Sequence, residues 1–273
     1  MPKVKVGIAG CGAIGTYLAG FVSGKLKNEI ELAALYDAEP SRSRALSRRV
    51  CASERLAVDN LAKLIARSEL VIEAASAQAA LGIVRSALRA GRDVMVMSTG
   101  GILGGLKEIA SLARRRAAKV YIPSGAIAGI DAVKAASIGG IQEVVLTTTK
   151  NPRSFAGSLY FKKKRMTPQS IKKDTLLFSG TAREAVKLFP QNINVAAVLG
   201  LAGVGDTKTR VKIIASPGAS ANSHEITVRS SAGTIRTVTG NVPHPSNPKT
   251  SFLAALSAAA TLQKIVGPVV IGT

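Results

Sequence analysis

A glycine-rich turn near the N-terminus constrains the fold of this chain more than any other feature. Residues 3–9 are typical of a buried strand, and Gly10, Gly12 and Gly15 follow with the spacing G-x-G-x-x-G. In a dinucleotide-binding fold the first glycine allows a tight turn, the second lets a pyrophosphate approach the backbone, and the third lets the next helix pack closely. The alternative is a strand turn that binds no ligand.

A second predicted strand ends in an acid where a bound ribose needs a hydrogen-bond acceptor. Residues 31–37 are mostly apolar, and Asp37 follows Gly15 by 22 residues. A carboxylate there accepts from the ribose 2′-hydroxyl of NAD, whereas residues 41–44 (Ser-Arg-Ser-Arg) offer a site for the 2′-phosphate of NADP or form a solvated helix face. We therefore predict NAD or NADP as cofactor. The residues predicted to bind it here are Gly10, Cys11, Gly12, Ala13, Ile14, Gly15 and Asp37.

The next hundred residues alternate between apolar strands and helices. Strands are predicted at 70–75, 94–97 and 119–122, and helices at 59–67, 77–90 and 106–117. This alternation predicts an α/β fold with an N-terminal Rossmann dinucleotide-binding domain. Ligands of such sheets lie at the carboxyl ends of the strands. We thus expect Ala75, Ser76, Ser98 and Thr99 to line the cofactor site, although ordinary loop roles would also explain them.

The regular alternation of strands and helices ends at about residue 141, and a second α+β domain with a mainly antiparallel sheet is predicted after it. Its strands are expected at 144–149, 208–215, 224–229 and 234–240. One helix is expected at 181–189, and a second, strongly apolar helix begins within 189–197 and ends at residue 201. We interpret 151–175 as an exposed connection and 241–251, with its prolines, as irregular. The predicted domains are 1–122, completed by 246–273, and 123–245.

The last predicted helix, residues 252–265, is expected to pack back on the first domain. Its apolar face is predicted to be Phe252, Leu253, Leu256, Leu262 and Ile265.

The net charge of +21 raises the question of a nucleic-acid partner. The basic residues are spread widely, and aromatic side chains that would stack on bases are few. A solvated basic surface that attracts anionic cofactors and dicarboxylates explains the charge better. The sequence therefore favours a solvated basic surface over a nucleic-acid partner.

Two further features concern the compartment. Residues 6–24 carry no charge, but six glycines among these 19 residues fit a strand, turn and helix rather than a membrane span. Cys11 lies in the nucleotide turn, where a disulfide to Cys51 would obstruct binding. We therefore expect a reducing, cytoplasmic setting and no membrane association.

Only two histidines, His224 and His244, are available for acid–base chemistry. Neutral imidazole suits proton removal near neutrality, although a lone histidine in a strand is more often structural. No nucleophile–base pair and no spacing typical of a metal site is present, so we expect no metal. The sequence favours chemistry that the dinucleotide itself carries.

Six motifs together resemble the L-aspartate dehydrogenase family along nearly the whole chain. They are GIAGCGAIG at 7–15, VMSTG at 96–100, IPSGAIAG at 122–129, FPQNINVA at 189–196, the stretch from Asn222 through His224 to Ile226, and SNPKTS at 246–251. The resemblance implies oxidative deamination of L-aspartate by NAD or NADP through iminoaspartate, which can feed NAD biosynthesis. It also implies a homodimer formed through the second domain's sheet.

The resemblance implies roles for particular residues. The family's active-site histidine matches His224, and its nicotinamide-nucleotide contacts match Ala126 and Asn194. Asn192, at the same predicted helix start, is an alternative helix cap. The substrate carboxylates need cationic or N–H partners. Our candidates for them are Ser124, Lys249, Thr250 and Ser251.

Three alternatives remain open on the sequence. The chain would be a related two-domain reductase of another small carboxylate, a nucleic-acid-binding protein that uses its charge, or a catalytically silent NAD sensor. A substrate panel and cofactor binding distinguish them.

Overall fold

The structure is a computed structural model that describes residues 2–189 and 194–272, without the side chains of residues 248 and 249. Backbone contacts divide the chain into two compact units. The first is formed by the residues up to Pro123 together with Ala255–Val270, and the second by Ser124–Ala254 with the residues after Val270. Residues 246–254, which we had assigned to the first domain, therefore group with the second unit.

The first unit contains a five-stranded parallel sheet. Its strands are β1 (Val4–Ala9), β2 (Ile30–Tyr36), β3 (Leu70–Glu73), β4 (Asp93–Val96) and β5 (Val120–Tyr121). Their order is β2-β1-β3-β4-β5, and every neighbouring pair is parallel. The chain order reverses between β1 and β3, so the glycine-rich turn after β1 lies at the switch point where doubly wound sheets bind ligands.

Helices cover both faces of this sheet. They are α1 (Ala13–Lys25), α2 (Pro40–Cys51), α3 (Leu61–Ala66), α4 (Ala77–Arg89), α5 (Thr99–Ile102) and α6 (Leu106–Arg115). Side chains alternate between the faces, so Leu70 and Ile72 join one hydrophobic core while Val71 joins the other. Burial on both faces explains why β3 is apolar without interruption until Glu73. The predicted Rossmann-type α/β domain is confirmed.

The second unit contains a mainly antiparallel sheet, as predicted. Its strands are β6 (Ile141–Lys150), β7 (Thr175–Thr181), β8 (Arg210–Ala215), β9 (Asn222–Ser230) and β10 (Gly233–Asn241), in the order β10-β9-β6-β8-β7. Only the β6–β8 pair is parallel. The sequence placed β8 and β9 in one sheet correctly, but β6 lies between them.

Helices α7 (Ile130–Gly139), α8 (Leu159–Lys164), α9 (Ala182–Leu188) and α10 (Asn194–Ala202) belong to the second unit. The interpretation of 151–175 as an exposed connection is wrong. Phe155 and Phe161 are buried in the core, where Phe155 meets Phe189 edge to face. These aromatic residues lie in short helical turns. Such turns are too short to show a repeating apolar pattern in the sequence, so the burial of these residues was not predicted.

Residues 241–251 were also predicted incorrectly as irregular. A short hairpin forms there from β11 (Pro243–His244) and β12 (Asn247–Ser251). Because each strand of this hairpin has a single partner strand, prolines interrupt few ladder hydrogen bonds.

The last helix, α11 (Phe252–Val266), contributes to the first unit's core, as expected. Its predicted apolar face is only partly right, because Leu253 and Leu256 remain 36% and 38% exposed. The buried stripe instead consists of Ala255, Ala258, Ala259 and Leu262. Small residues at these helical spacings let the helix approach its neighbours closely. Across the described residues, no helix combines the length and apolarity needed to cross a membrane.

Candidate functional site

Two glycines of the turn after β1 are required by the protein itself. Gly10 has φ +103°, and a Cβ there would lie 2.4 Å from the carbonyl oxygen of Ala74. A Cβ on Gly15 would lie 1.9 Å from the carbonyl oxygen of Gly10. Gly10 therefore needs left-handed backbone freedom, and Gly15 allows α1 to pack against the turn.

Gly12 is different, because the protein does not explain it. It precedes α1 with φ −76°, and a Cβ there would meet nothing within 4 Å. Gly12 lines a cavity of about 610 Å³, a volume typical of small-molecule sites. The open space over Gly12 and the N–H groups at the start of α1 fit an approaching phosphate.

Asp37 and Arg42 line the same cavity. The Asp37 carboxylate accepts hydrogen bonds from the backbone N–H of Cys11 at 2.7 Å and of Glu39 at 2.9 Å. The Arg42 guanidinium lies 2.7 Å from the Glu39 carboxylate, with both side chains largely exposed. Ser43, by contrast, is buried and donates to the Pro40 carbonyl, so it takes no part in the cavity. An acid and an exposed cation thus share the predicted ribose end.

A buried carboxylate, Glu73, joins the ends of β3 and β4. One of its oxygens accepts from the Ala75 N–H and the other from the Ser98 N–H, each at 2.9 Å. Burial raises the pKa of Glu73, and these hydrogen bonds oppose that rise. Glu73 therefore fixes the two loops that carry the predicted cofactor residues Ala75 and Ser98.

The other predicted cofactor residues of the first unit occupy different places. Ala75 and Ser76 line the cavity, and the Ser76 hydroxyl caps α4. Ser98 and Thr99 are buried beside it, outside its lining. Ala13, Ile14 and Gly15 form the first turn of α1. Burial, followed by the Asp37 charge, raises the pKa of the Cys11 thiol to about 12, so this thiol is not a nucleophile.

Buried polar side chains of the second unit collect at one end of its sheet. The strand register brings together the end of β6, the start of β9 and the end of β10 there. The buried polar residues at this end are Thr148, Lys150, Ser216, Asn222, His224, Asn241 and Ser251. We call this set the polar end of the sheet. Polar groups are rarely buried without a structural or functional reason, which makes this a candidate site.

His224 lies at the centre of the polar end and is 2% exposed. Its Nδ1 atom is 2.9 Å from the hydroxyl oxygen of Thr148, the residue opposite it on β6. Burial, followed by the positive charge of Lys150, lowers the pKa of His224 to about 3. The imidazole is therefore neutral at ordinary pH, and the hydrogen bond with Thr148 fixes the orientation of its Nδ1 side.

Lys150 is the last residue of β6 and is 5% exposed. Burial lowers its pKa to about 8. At neutral pH most of the population remains charged, so the polar end carries a buried positive charge.

Two of the predicted site residues, Ala126 and Ser251, hydrogen-bond to this end of the sheet. The Ala126 carbonyl accepts from Thr239 at 3.1 Å and from Asn241 at 3.0 Å, which anchors the segment after Pro123 to β10. Ser251 accepts from Asn222 at 3.4 Å. Asn194 begins α10 and is half-buried.

Other predicted residues are less closely tied to the polar end. Ser124 and Thr250 are half-buried, and Lys249 belongs to β12 although its side chain is outside the described part. Asn192 falls outside the described residues altogether. His244 is buried in the β11–β12 hairpin, where Nδ1 is 3.0 Å from the Ser246 hydroxyl.

Comparison with known proteins adds the family. A model described as the C-terminal domain of aspartate dehydrogenase matches residues 131–265, and a model described as the NAD-binding domain of homoserine dehydrogenase matches residues 10–123. L-aspartate dehydrogenases of Methanococcoides burtonii and Methanosarcina barkeri are each 45% identical over 99% of this chain and 100% of theirs. The chain belongs to the L-aspartate dehydrogenase family.

A solved structure of a family member has the same fold. The aspartate dehydrogenase of Thermotoga maritima superimposes with a TM-score of 0.77 at 25% identity, covering 99% of this chain and 100% of that one. In the present chain, among the residues that the structure describes, no three His, Cys, Asp or Glu side chains lie close enough together to hold a metal ion.

Sequence reasoning missed Thr148, Lys150 and Glu73. A signal was present for each. In the alternating pattern of β6, Thr148 and Lys150 take positions that continue the buried face of Val144 and Leu146. Glu73 ends an otherwise apolar strand. A polar residue at a strand position that is predicted to be buried indicates a candidate site, and the sequence analysis did not use this signal.

The role of Gly12 is testable by adding one methyl group. We predict that Gly12→Ala folds normally but raises the dissociation constant of NADH or NADPH at least about tenfold, because the methyl group occupies space needed by a phosphate. Cofactor fluorescence measures the binding, and thermal melting measures stability.

Gly20→Ala is the matched control, since Gly20 is exposed on α1 and a Cβ there also meets nothing within 4 Å. This control should keep wild-type affinity and gain about 0.5–1 kcal/mol of stability. Equal cofactor affinity in both variants would remove Gly12 from the site.

Proposed function

We propose that this chain is an NAD(P)-dependent L-aspartate dehydrogenase. It oxidises L-aspartate to iminoaspartate, which hydrolyses to oxaloacetate and ammonia. Family membership and the matched names support this substrate. The observation that carries the proposal is the buried, neutral His224 at the centre of the polar end. An amine oxidation needs such a group, because a proton must leave nitrogen as the carbon–nitrogen double bond forms.

The first unit suits the cofactor that this reaction needs. The open space over Gly12, the N–H groups at the start of α1 and the Asp37 carboxylate would hold its pyrophosphate and ribose. When bound, the nicotinamide ring accepts the hydride that leaves the substrate Cα. The protein supplies position and charge for that chemistry.

His224 supplies the base in this proposal. The proposal requires the tautomer in which Nδ1–H donates to the Thr148 hydroxyl oxygen, 2.9 Å away. In that tautomer the lone pair of Nε2 takes a proton from the substrate amine or from the water that attacks the imine. Histidine in this tautomer is a base only while it stays neutral. The depressed pKa of His224 keeps the ring neutral in the free protein but also lowers its proton affinity, so an anion bound nearby would strengthen the base.

Removing the imidazole tests this role. We predict that His224→Ala lowers turnover of L-aspartate by about 10²–10⁴-fold, because proton transfer loses its acceptor. Cofactor binding should stay unchanged. Steady-state rates followed by NAD(P)H absorbance, together with NADH fluorescence, measure both quantities.

The wild-type protein provides the substrate control. L-aspartate should produce NAD(P)H, whereas L-alanine, L-glutamate and L-homoserine should produce little. Reduction with another small carboxylate instead of L-aspartate would favour the related-reductase alternative, and cofactor binding without any turnover would favour the sensor. If the His224→Ala variant kept full activity, His224 would be excluded as the base.

We further propose that both NAD and NADP are accepted, through different side chains. Asp37 would accept from the free 2′-hydroxyl of NAD, while Arg42, once turned from Glu39, would pair with the 2′-phosphate of NADP. Both side chains line the same cavity.

Single substitutions separate these contributions. Asp37→Ala should weaken NAD by about tenfold or more while affecting NADP less, and Arg42→Ala should weaken NADP selectively. Arg44→Ala is the matched control, because Arg44 is near Glu54 and does not line the cavity. The measurement is KM for each cofactor, and an unchanged ratio in both variants would contradict the proposal.

We also propose a homodimer formed through the outer face of the second unit's sheet. This face carries Thr147, Thr227 and the 59% exposed Val238, with an ion pair between Arg236 and Glu225 at 2.9 Å. Short β-branched side chains on an exposed sheet face suit packing against a second copy.

Solution mass tests the dimer. We predict twice the chain mass of 28.2 kDa by sedimentation velocity, and dissociation in Val238→Asp because a carboxylate would be buried without a partner. Ile138→Asp, on the exposed side of α7, is the control and should remain dimeric. A monomeric wild-type protein would refute the proposal.

We propose a cytoplasmic setting, supported by two cysteines that are not disulfide-bonded, Cys11 and Cys51. Iminoaspartate that escapes hydrolysis would be available for NAD biosynthesis. Co-purification of the activity with the cytosolic fraction, and trapping of iminoaspartate by a consuming enzyme, test these points.

A further inference from the structure

Lys150 occupies a position where core packing alone would favour an apolar residue. It continues the face of β6 on which Val144 and Leu146 are fully buried. Lysine is almost never this buried without a specific reason. The reaction as described so far does not use it.

The strand register places Lys150 beside the proposed base. Thr148 is directly opposite His224, and Lys150 and Asn222 are the next residues outward on the same face. Lys150 is thus a diagonal neighbour of His224, and such pairs lie about 7–8 Å apart, within reach of a long side chain. Lys150 accordingly acts on the charge state of His224.

The surroundings of His224 are positive and rich in donors. They include Thr239 and Asn241 from β10. Ser251 of β12 is connected to them by the hydrogen bond that it accepts from Asn222. The charged residues Glu225 and Lys212 lie on the opposite face of the sheet. Within the described part of the chain, Lys150 is the only charged group that contributes to the pKa shift of His224.

We propose that Lys150 is the cation of the substrate site, and that its ammonium group receives one carboxylate of a dicarboxylate beside His224. This inference rests on the proposed function and deepens it, because it names the residue that selects a second carboxylate. It differs from the sequence-based candidates at 249–251.

The arrangement couples substrate binding to the base. Without substrate, burial and then the Lys150 charge disfavour protonation of His224. A carboxylate that pairs with Lys150 cancels that charge, and the proton affinity of the imidazole rises when the amine arrives. The base is therefore strengthened by the molecule on which it acts.

Succinate binding is the direct test, because succinate has both carboxylates and no reacting amine. With cofactor-loaded protein in calorimetry, Lys150→Met should weaken succinate binding about 10- to 100-fold, while Lys150→Arg should retain most of it. Lys212→Met removes the same charge from the exposed face of β8 and should change little. Equal binding in Lys150→Met and wild type would overturn the proposal.

The pH dependence gives an independent readout. Because the pKa of Lys150 is about 8, wild-type protein should lose succinate affinity as pH rises through 8 and the ammonium group deprotonates. Lys150→Arg stays charged and should bind equally well above that pH. The same alkaline loss in Lys150→Arg would contradict the assignment, and this comparison holds even where Lys150→Met fails to fold.

The outcomes also separate this inference from the proposed function. Wild-type protein that binds succinate through Lys150 but leaves L-aspartate unoxidised would refute the dehydrogenase and keep the dicarboxylate site. Oxidation of L-aspartate with an unchanged KM in Lys150→Met would keep the dehydrogenase and refute the role of Lys150.

Discussion

The hydrogen bond between Thr148 and Nδ1 of His224 connects the backbone register of the second unit to its chemistry. Antiparallel pairing of β6 and β9 sets these residues opposite each other, and a shift of β9 by one residue would turn His224 to the outer face, away from Thr148. The sheet and its core therefore determine the orientation of the imidazole. Burial in the same core keeps the ring neutral.

Burying these groups costs stability, which is informative about their purpose. An ammonium group and an imidazole on the inner face of a sheet oppose folding through desolvation. Apolar residues at the same positions would pack without that cost. Residues that break local packing rules are concentrated at functional sites, and the polar end fits this rule.

The glycine-rich turn of the first unit follows the same logic. Gly10 and Gly15 are explained by close contacts within the protein, whereas Gly12 faces open space. The buried Glu73 carboxylate then holds the loops after β3 and β4 in place, so the cavity is formed before any cofactor arrives.

The architecture was largely accessible from the sequence, because the strand–helix alternation and the glycine spacing are local patterns. The first unit's sheet and the mainly antiparallel second sheet were both predicted. The buried Phe155 and the alanine stripe of α11 were not, since each depends on contacts distant in sequence. The β11–β12 hairpin is local, but its prolines argue against strands in the sequence.

The candidate site was only partly accessible from the sequence. His224 and the family residues came from resemblance, and their roles stay predictions. Thr148 and Lys150 required the register of β6 against β9, which the strand pattern alone does not give.

Hydride transfer from the substrate Cα is the central claim, and deuterium tests it most directly. L-aspartate labelled with deuterium at Cα would be incubated with the protein and oxidised cofactor, and the reduced cofactor analysed by mass spectrometry. The account predicts one deuterium in the reduced cofactor for each oxaloacetate formed. Reduced cofactor without deuterium, or none formed from L-aspartate, would contradict it.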